Sequence, residues 1–319
     1  MNLSVGIDIG GTNTAFGLVT DNGEILAQSS IKTCGHADFQ AYADAVSAAI
    51  RQLLNKIETP YKLIGIGIGA ANGNYFNGCI ENAANLPWKG VVKIVEAFEK
   101  QFGVPVFLTN DANAAALGEM VYGGAKGMTD FIEITLGTGL GSGIVTGGKM
   151  LYGHDGFAGE CGHVIVERNG RDCGCGRKGC LETYVSATGV VRTATELLAK
   201  RNIDSELRSI PNNELTALKV SQAAGRGDAI AKEVFEYTGT VLGQALADFV
   251  AITSPQAIFL FGGLAKAGEI LFEPVRRSME ANMLNIFKNK VKVLPSLLGD
   301  DAAILGASAL VLANLPDNV

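Results

Sequence analysis

Two distant segments of the chain repeat one device, and that repetition constrains the fold more than any bulk property does. Leu3, Val5, Ile7 and Ile9 alternate with Ser4, Gly6 and Asp8, the run breaks at Gly10-Gly11, and a second run, TAFGLVT, follows. In FIEITL, Ile132, Ile134 and Leu136 alternate in the same way, Gly137-Thr138-Gly139 breaks the run, and GSGIVT returns. Each segment reads as strand, glycine turn, strand. Such a turn presents backbone N–H groups with no side chain in the way, which suits phosphate oxygens. A third glycine turn, Gly262-Gly263, follows the apolar strand AIFLF and precedes an expected helix, where N-terminal amides also favour anions. Together the three turns imply a nucleotide held between two related domains. The chain has no G-x-x-x-x-G-K-[ST], which removes a P-loop. GTGLGSG joins two strands with no helix after it, which removes a dinucleotide fingerprint.

Between and after these hairpins, strands and helices alternate. Apolar spacing through Phe39, Tyr42, Val46, Ile50 and Leu53 predicts a helix over 38–57, LIGIGIG a strand at 63–69, and further pattern a helix at 90–102. VPVFLT predicts a strand at 104–109, and a helix follows from Asn110. The fold class is therefore α/β. A length of 319 residues with 47% hydrophobic content is enough for two cores. A net charge of −6 and no sustained Lys/Arg run argue against a nucleic-acid surface and favour small ligands. With no signal-like start and no membrane-length apolar run, the expectation is a cytoplasmic protein.

CGCGRKGC, residues 173–180, holds Cys173, Cys175 and Cys180, half of the six cysteines in the chain. In a reducing compartment such a cluster points to metal ligation rather than to disulfides. Spacing alone leaves Cys161 and His163 as competing fourth ligands. Arg177 and Lys178 could offset thiolate charge or be ordinary solvated residues, and Cys34 and Cys79 read as plain small apolar side chains.

The ordered set GIDIGGTNT, TNDANAA and LGTGLGSGI resembles the actin-like ATPases and, among them, the ROK family of sugar kinases. ECGHVIVERNGRDCGCGRKGCLE, residues 160–182, resembles that family's zinc and sugar signature, and the resemblance covers essentially the whole chain. It implies two actin-like (ribonuclease H-like) domains around a nucleotide and sugar cleft. A small domain of 1–118 plus a returning C-terminal helix within 300–319 would face a large domain of 119–299 carrying the zinc loop 160–182.

The resemblance also assigns roles. His163, Cys173, Cys175 and Cys180 would hold a structural Zn²⁺, a closed set with no open position for catalytic water. Glu160, Glu182 and His163 would bind sugar hydroxyls, with Asn110 as a further contact and Asp111 as the general base. Asp8 would organise Mg²⁺ near the phosphates of ATP, with Gly10, Gly11, Thr12, Asn13, Gly137, Thr138, Gly139, Gly262 and Gly263 lining the nucleotide. Each assignment has a plainer rival: Asn110-Asp111 as a helix cap, Glu160 as a surface acid, Glu182 as a helix start. Gly69-Ala70-Ala71-Asn72-Gly73 departs from the family's Pro-Gly, and Asn72 could contact sugar or only shape a turn.

The implied activity is transfer of the γ-phosphoryl group of ATP to a hexose, with glucose at its 6-hydroxyl first and N-acetylmannosamine, fructose, mannose or allose as alternatives. Two rival classes are a sugar-responsive transcriptional regulator and an actin-type structural protein. The regulator is disfavoured because the first strand starts at Leu3, leaving no room before it for a helix-turn-helix, and the intact sugar signature disfavours the other. A homodimer or homotetramer is expected, with no membrane or nucleic-acid partner.

Overall fold

The computed structural model describes residues 1–315. The last part of the expected small-domain segment 300–319, residues 316–319, lies outside the described residues. The first half of the chain runs β1 (Asn2–Ile9), β2 (Asn13–Thr20), β3 (Ile25–Lys32), α1 (Phe39–Leu54), β4 (Lys62–Ala70), β5 (Gly73–Asn74), β6 (Cys79–Glu81), β7 (Val91–Val92), α2 (Ile94–Phe102), β8 (Val106–Thr109) and α3 (Asp111–Val121). The second half runs β9 (Phe131–Leu136), β10 (Leu140–Thr146), β11 (Lys149–Met150), α4 (Glu182–Val185), α5 (Ala187–Lys200), α6 (Ala217–Arg226), α7 (Ala229–Thr253), β12 (Ala257–Phe261), α8 (Glu269–Asn282), β13 (Lys292–Pro295) and α9 (Ala302–Asn314).

The repeated sequence device builds a repeated sheet. One sheet has the order β3-β2-β1-β4-β8 and the other β11-β10-β9-β12-β13. In each, the glycine hairpin pairs antiparallel, the strand opening that hairpin pairs parallel with one further strand (β1 with β4, β9 with β12), and that strand pairs parallel with the next in order (β4 with β8, β12 with β13). A ligand crevice in such sheets lies beyond the carboxyl ends of the parallel strands, which is where Asp8, the 109–111 junction and both hairpin turns sit.

Helix α1 begins at Phe39 because the Asp38 side chain accepts from Ala41 N at 2.8 Å, and it buries Tyr42, Val46, Ile50 and Leu53 on one face. The helix expected over 90–102 begins only at Ile94. Gly90 is left-handed at φ +77°, and β-branched Val91 and Val92 pair with β6 instead. The helix expected directly after Gly262-Gly263 also starts later. A short 3₁₀ turn at Ala265–Ala267 intervenes and α8 opens at Glu269, so its amides do not abut the glycine turn.

Helix α9 returns to the first sheet and packs against β1, β4 and α3. The approach is close enough to require glycine. A Cβ on Gly6 would stand 2.1 Å from the Ile304 carbonyl oxygen, and one on Gly67 would stand 1.7 Å from that of Ala307. Helix α3 packs against α9 on one side and against β9 and β10 on the other, and Ala112 through Glu119 are all buried. It is therefore a helix wetted almost nowhere, wedged between the two sheets, and its N-terminus carries Asn110-Asp111. Among the described residues, no helix is long and apolar enough to cross a membrane.

Candidate active site

The end of β8 delivers Asn110 in an extended conformation (φ −63°, ψ 148°), and its side-chain oxygen accepts from Ala112 N at 2.7 Å and Asn113 N at 3.4 Å. Asn110 is thus the N-cap of α3. Asp111 is the first helical residue, with Oδ1 accepting from Ala112 N at 2.9 Å. Its surface opens on the cleft, yet the surrounding protein pushes its carboxyl pKa above the ordinary aspartate range, with the Ala112 N–H pulling the other way. Asp8, from the end of β1, is pushed up to about 6, first by burial and then by the charge of Asp111. The two aspartates therefore share one electrostatic environment at the carboxyl ends of β1 and β8.

Three more groups converge on them. Burial raises the Glu160 carboxyl, His163 opposes that shift, and Asp111 and Glu182 add to it. Glu182 opens α4, and its Oε2 accepts from Leu140 N at 3.4 Å. A Cβ on Gly139 would lie 2.7 Å from that same Oε2, so the second glycine turn rests directly on Glu182. The neighbouring loop closes a small, enclosed pocket lined by Asn110, Asn113, Ser142, Phe157 and Glu160.

Ligand atoms of His163, Cys173, Cys175 and Cys180 all lie within 4.8 Å of one another. Cys175 Sγ and Cys180 Sγ are 3.7 Å apart, and Cys173 Sγ is 3.7 Å from His163 Nδ1. Tetrahedral Zn²⁺ with Zn–S bonds of about 2.3 Å sets its sulfur ligands roughly 3.8 Å apart, so spacing and donor chemistry both fit that ion. Arg177 pulls the Cys175 thiol toward thiolate by hydrogen bonding and also donates to the His163 carbonyl at 2.9 Å. Cys161 takes no part: it is buried in the core of the second half, with its N–H donating to Ser142 Oγ at 3.1 Å.

The nucleotide-type turns fall in two places. Gly137, Thr138 and Gly263 line a largely apolar cavity of about 470 Å³ whose far wall is Thr216, Ala217, Leu218 and Ser221 at the start of α6. The Gly10–Asn13 turn belongs to the other sheet, beside Asp8. Gly10 N donates to Asn13 O at 3.1 Å, Thr33 Oγ1 donates to Gly10 O at 2.7 Å, and Thr12 is exposed. Asn72 is left-handed at φ +54°, and its amide donates to the Glu81 carbonyl at 2.8 Å, closing the β5–β6 hairpin.

Sequence reasoning did not find the α6 wall. Thr216 is legible as a helix cap, and it does accept from Lys219 N at 3.2 Å, but nothing local says which cavity that cap borders. Asn113 left a clearer trace as a polar side chain within an alanine-rich buried helix. It is 3% exposed, and its Oδ1 has no partner among the described residues.

A pair of sheets with repeated topology, glycine turns at their carboxyl ends and carboxylates gathered in the crevice defines an α/β phosphotransferase architecture. The ROK family model matches residues 4–314, and the chain belongs to that family, with its actin-like two-domain fold. The glucokinase of Thermotoga maritima is 34% identical, over 96% of each chain. That of Halalkalibacterium halodurans is 36% identical, over 96% of this chain and 94% of its own. The structure of a ROK family glucokinase from Streptomyces griseus in complex with glucose and AMPPNP superposes with a TM-score of 0.80, at 34% identity over 97% of this chain and 98% of that one.

Proposed function

We propose that this protein is an ATP-dependent hexose kinase that phosphorylates glucose at its 6-hydroxyl. The observation that carries this reading is the convergence of Asp111, Glu160, Glu182 and His163 on one crevice, with the Gly137–Gly139 turn resting on Glu182. Hydroxyl acceptors and phosphate-type amides are thereby neighbours, as transfer from ATP to a sugar requires. The likeness to glucokinases, one of them solved with glucose and AMPPNP, supports the same substrates.

In this reading Glu160, Glu182, His163 and Asn110 receive the sugar hydroxyls. Carboxylate acceptors reward a correctly placed O–H and penalise its absence. Asp111, held above the ordinary aspartate range, takes the proton of the attacking hydroxyl as its oxygen bonds to the γ-phosphorus and ADP leaves. Asp8 would hold Mg²⁺, which when bound offsets phosphate charge; an acidic oxygen beside a turn of bare amides suits that ion. The apolar cavity at Thr138, Gly263 and Leu218 suits the adenosine end of ATP. His163, Cys173, Cys175 and Cys180 would hold Zn²⁺, which when bound supplies rigidity to the loop between Glu160 and Glu182. The domain division near residue 118, with α9 returning to the first domain, belongs to this reading and is supported by the packing of α9 on β1 and β4.

The test is kcat/KM with Mg-ATP across glucose, mannose, allose, fructose and N-acetylmannosamine. Glucose should give the largest value. A tenfold preference for fructose or N-acetylmannosamine would contradict the substrate assignment, whereas no phosphorylation of any hexose would contradict the activity.

A further inference from the structure

Glu160 has an unusual seat. Its backbone (φ −74°, ψ 54°) is that of an inverse γ-turn, and Cys161 N donates across it to Gly159 O at 2.8 Å. Ser142, from β10, engages both ends of this turn. Its hydroxyl donates to the Gly159 carbonyl and accepts from Cys161 N at 3.1 Å. Ser142 is 5% exposed and lines the same small pocket as Asn110 and Glu160. Two residues after Glu160, Gly162 lies so close to β10 that a Cβ there would stand 2.3 Å from the Leu140 carbonyl oxygen. The acid is thus borne on a three-residue turn pinned by one hydroxyl to β10, which is paired along its length with β9.

We infer that Ser142 is a positioning residue for Glu160, fixing the carboxylate toward the hexose by clamping the backbone on both sides of it. The inference rests on the reading above, in which Glu160 accepts a sugar hydroxyl. A γ-turn is closed by one poor hydrogen bond and bends easily between conformations. A carboxylate that must meet a hydroxyl at a fixed distance gains from a turn that cannot bend. Ser142 does not touch the reacting atoms, so its loss weakens sugar recognition and leaves the nucleotide side alone.

The experiment compares the S142A, S142T, E160Q and S142A/E160Q proteins by steady-state kinetics with glucose and ATP, alongside thermal melts. S142A should raise the glucose KM about five- to tenfold, the worth of a lost pair of hydrogen bonds, with the ATP KM unchanged. S142T keeps the hydroxyl and should restore most of the affinity. The double variant should be no worse for glucose than E160Q alone, because the clamp matters only through the acid. A glucose KM within twofold of wild type in folded S142A would overturn the inference, as would additive effects in the double variant. If S142A does not fold, the test passes to S142T, where a glucose KM more than tenfold above wild type in a protein of normal melting temperature would count against the clamp. An E160Q protein with normal glucose KM would instead remove Glu160 from the sugar site, and the role of Ser142 with it.

Discussion

The thiol of Cys173 donates to Glu182 Oε1 at 3.0 Å, and His163 Nδ1 lies 3.6 Å from the same oxygen. A candidate hydroxyl acceptor is therefore in contact with two of the four candidate metal ligands. Whatever orders that cluster also orders Glu182, and Glu182 in turn supports the Gly139 turn.

A zinc-bound Cys173 is a thiolate and no longer donates, yet Glu182 still abuts two of the proposed ligands, so the proposed reading predicts that metal loss weakens sugar recognition. The purified protein should carry about one tightly bound Zn²⁺ per chain, and Cys175→Ala should release it. The same variant should show a raised glucose KM and a lower melting temperature. Elemental analysis that finds no zinc in fully active enzyme would rule the site out.

Glu133 provides a stability test away from the site. It is fully buried on β9, neither carboxyl oxygen has a partner among the described residues, and burial, with Glu119 nearby, pushes its pKa well above the ordinary 4.5. Below the unfolded value both states hold the proton and the group costs nothing in pH terms. As pH rises, the unfolded chain ionises first, so stability is lost until the folded pKa is passed, by about 1.4 kcal/mol per pH unit. Glu133→Gln removes that slope. Its melting temperature relative to wild type should climb between pH 5 and pH 8, and a constant difference across that range would show that Glu133 is ionised in the folded protein.

The approach of α9 to the first sheet is testable at Gly67. A methyl group there would overlap the Ala307 carbonyl, so Gly67→Ala should cost about 2–3 kcal/mol or more as the helix is forced off β4. Denaturant unfolding gives the value, and a loss under 0.5 kcal/mol would mean that α9 is not seated as described.

The strand–turn–strand repeats were legible because alternation at Leu3–Ile9 and Ile132–Leu136 is a local signal, and the sheets follow from it. Elements set by partners were not legible. Val91 and Val92 look like the start of a helix until β6 is there to pair with them. The site divides in the same way. The acids, the cysteines and the glycine turns stand out by residue type, and the resemblance to a known family gave them roles. The α6 wall of the nucleotide-type cavity and the Ser142 clamp are ordinary residues whose meaning lies wholly in what the chain brings beside them. The Asn110-Asp111 pair shows both outcomes together: Asn110 is the N-cap, reaching Ala112 N and Asn113 N, whereas one oxygen of Asp111 shares the Ala112 N–H and its carboxylate faces the cleft.

A raised base implies a displaced acid limb. A protonated carboxyl cannot accept the hydroxyl proton, so kcat/KM should fall as pH drops through the titration of the aspartates. With the Asp111 carboxyl raised by its burial, that fall should begin above the ordinary aspartate value of 3.8. An acid limb at or below that value would mean that Asp111 does not titrate as its surroundings require.

Asp111 is the group on which the proposed phosphoryl transfer most directly depends, and one pair of measurements on Asp111→Asn tests its role. The amide keeps the shape of the side chain, and Asn110 supplies the cap in either protein, so the melting temperature should barely move. An amide cannot take the hydroxyl proton, so kcat for glucose with Mg-ATP should fall by roughly 10²–10⁴ while glucose affinity changes far less. An Asp111→Asn enzyme that melts normally and retains more than about a tenth of wild-type kcat would contradict the account, since that loss is smaller than removal of a general base produces.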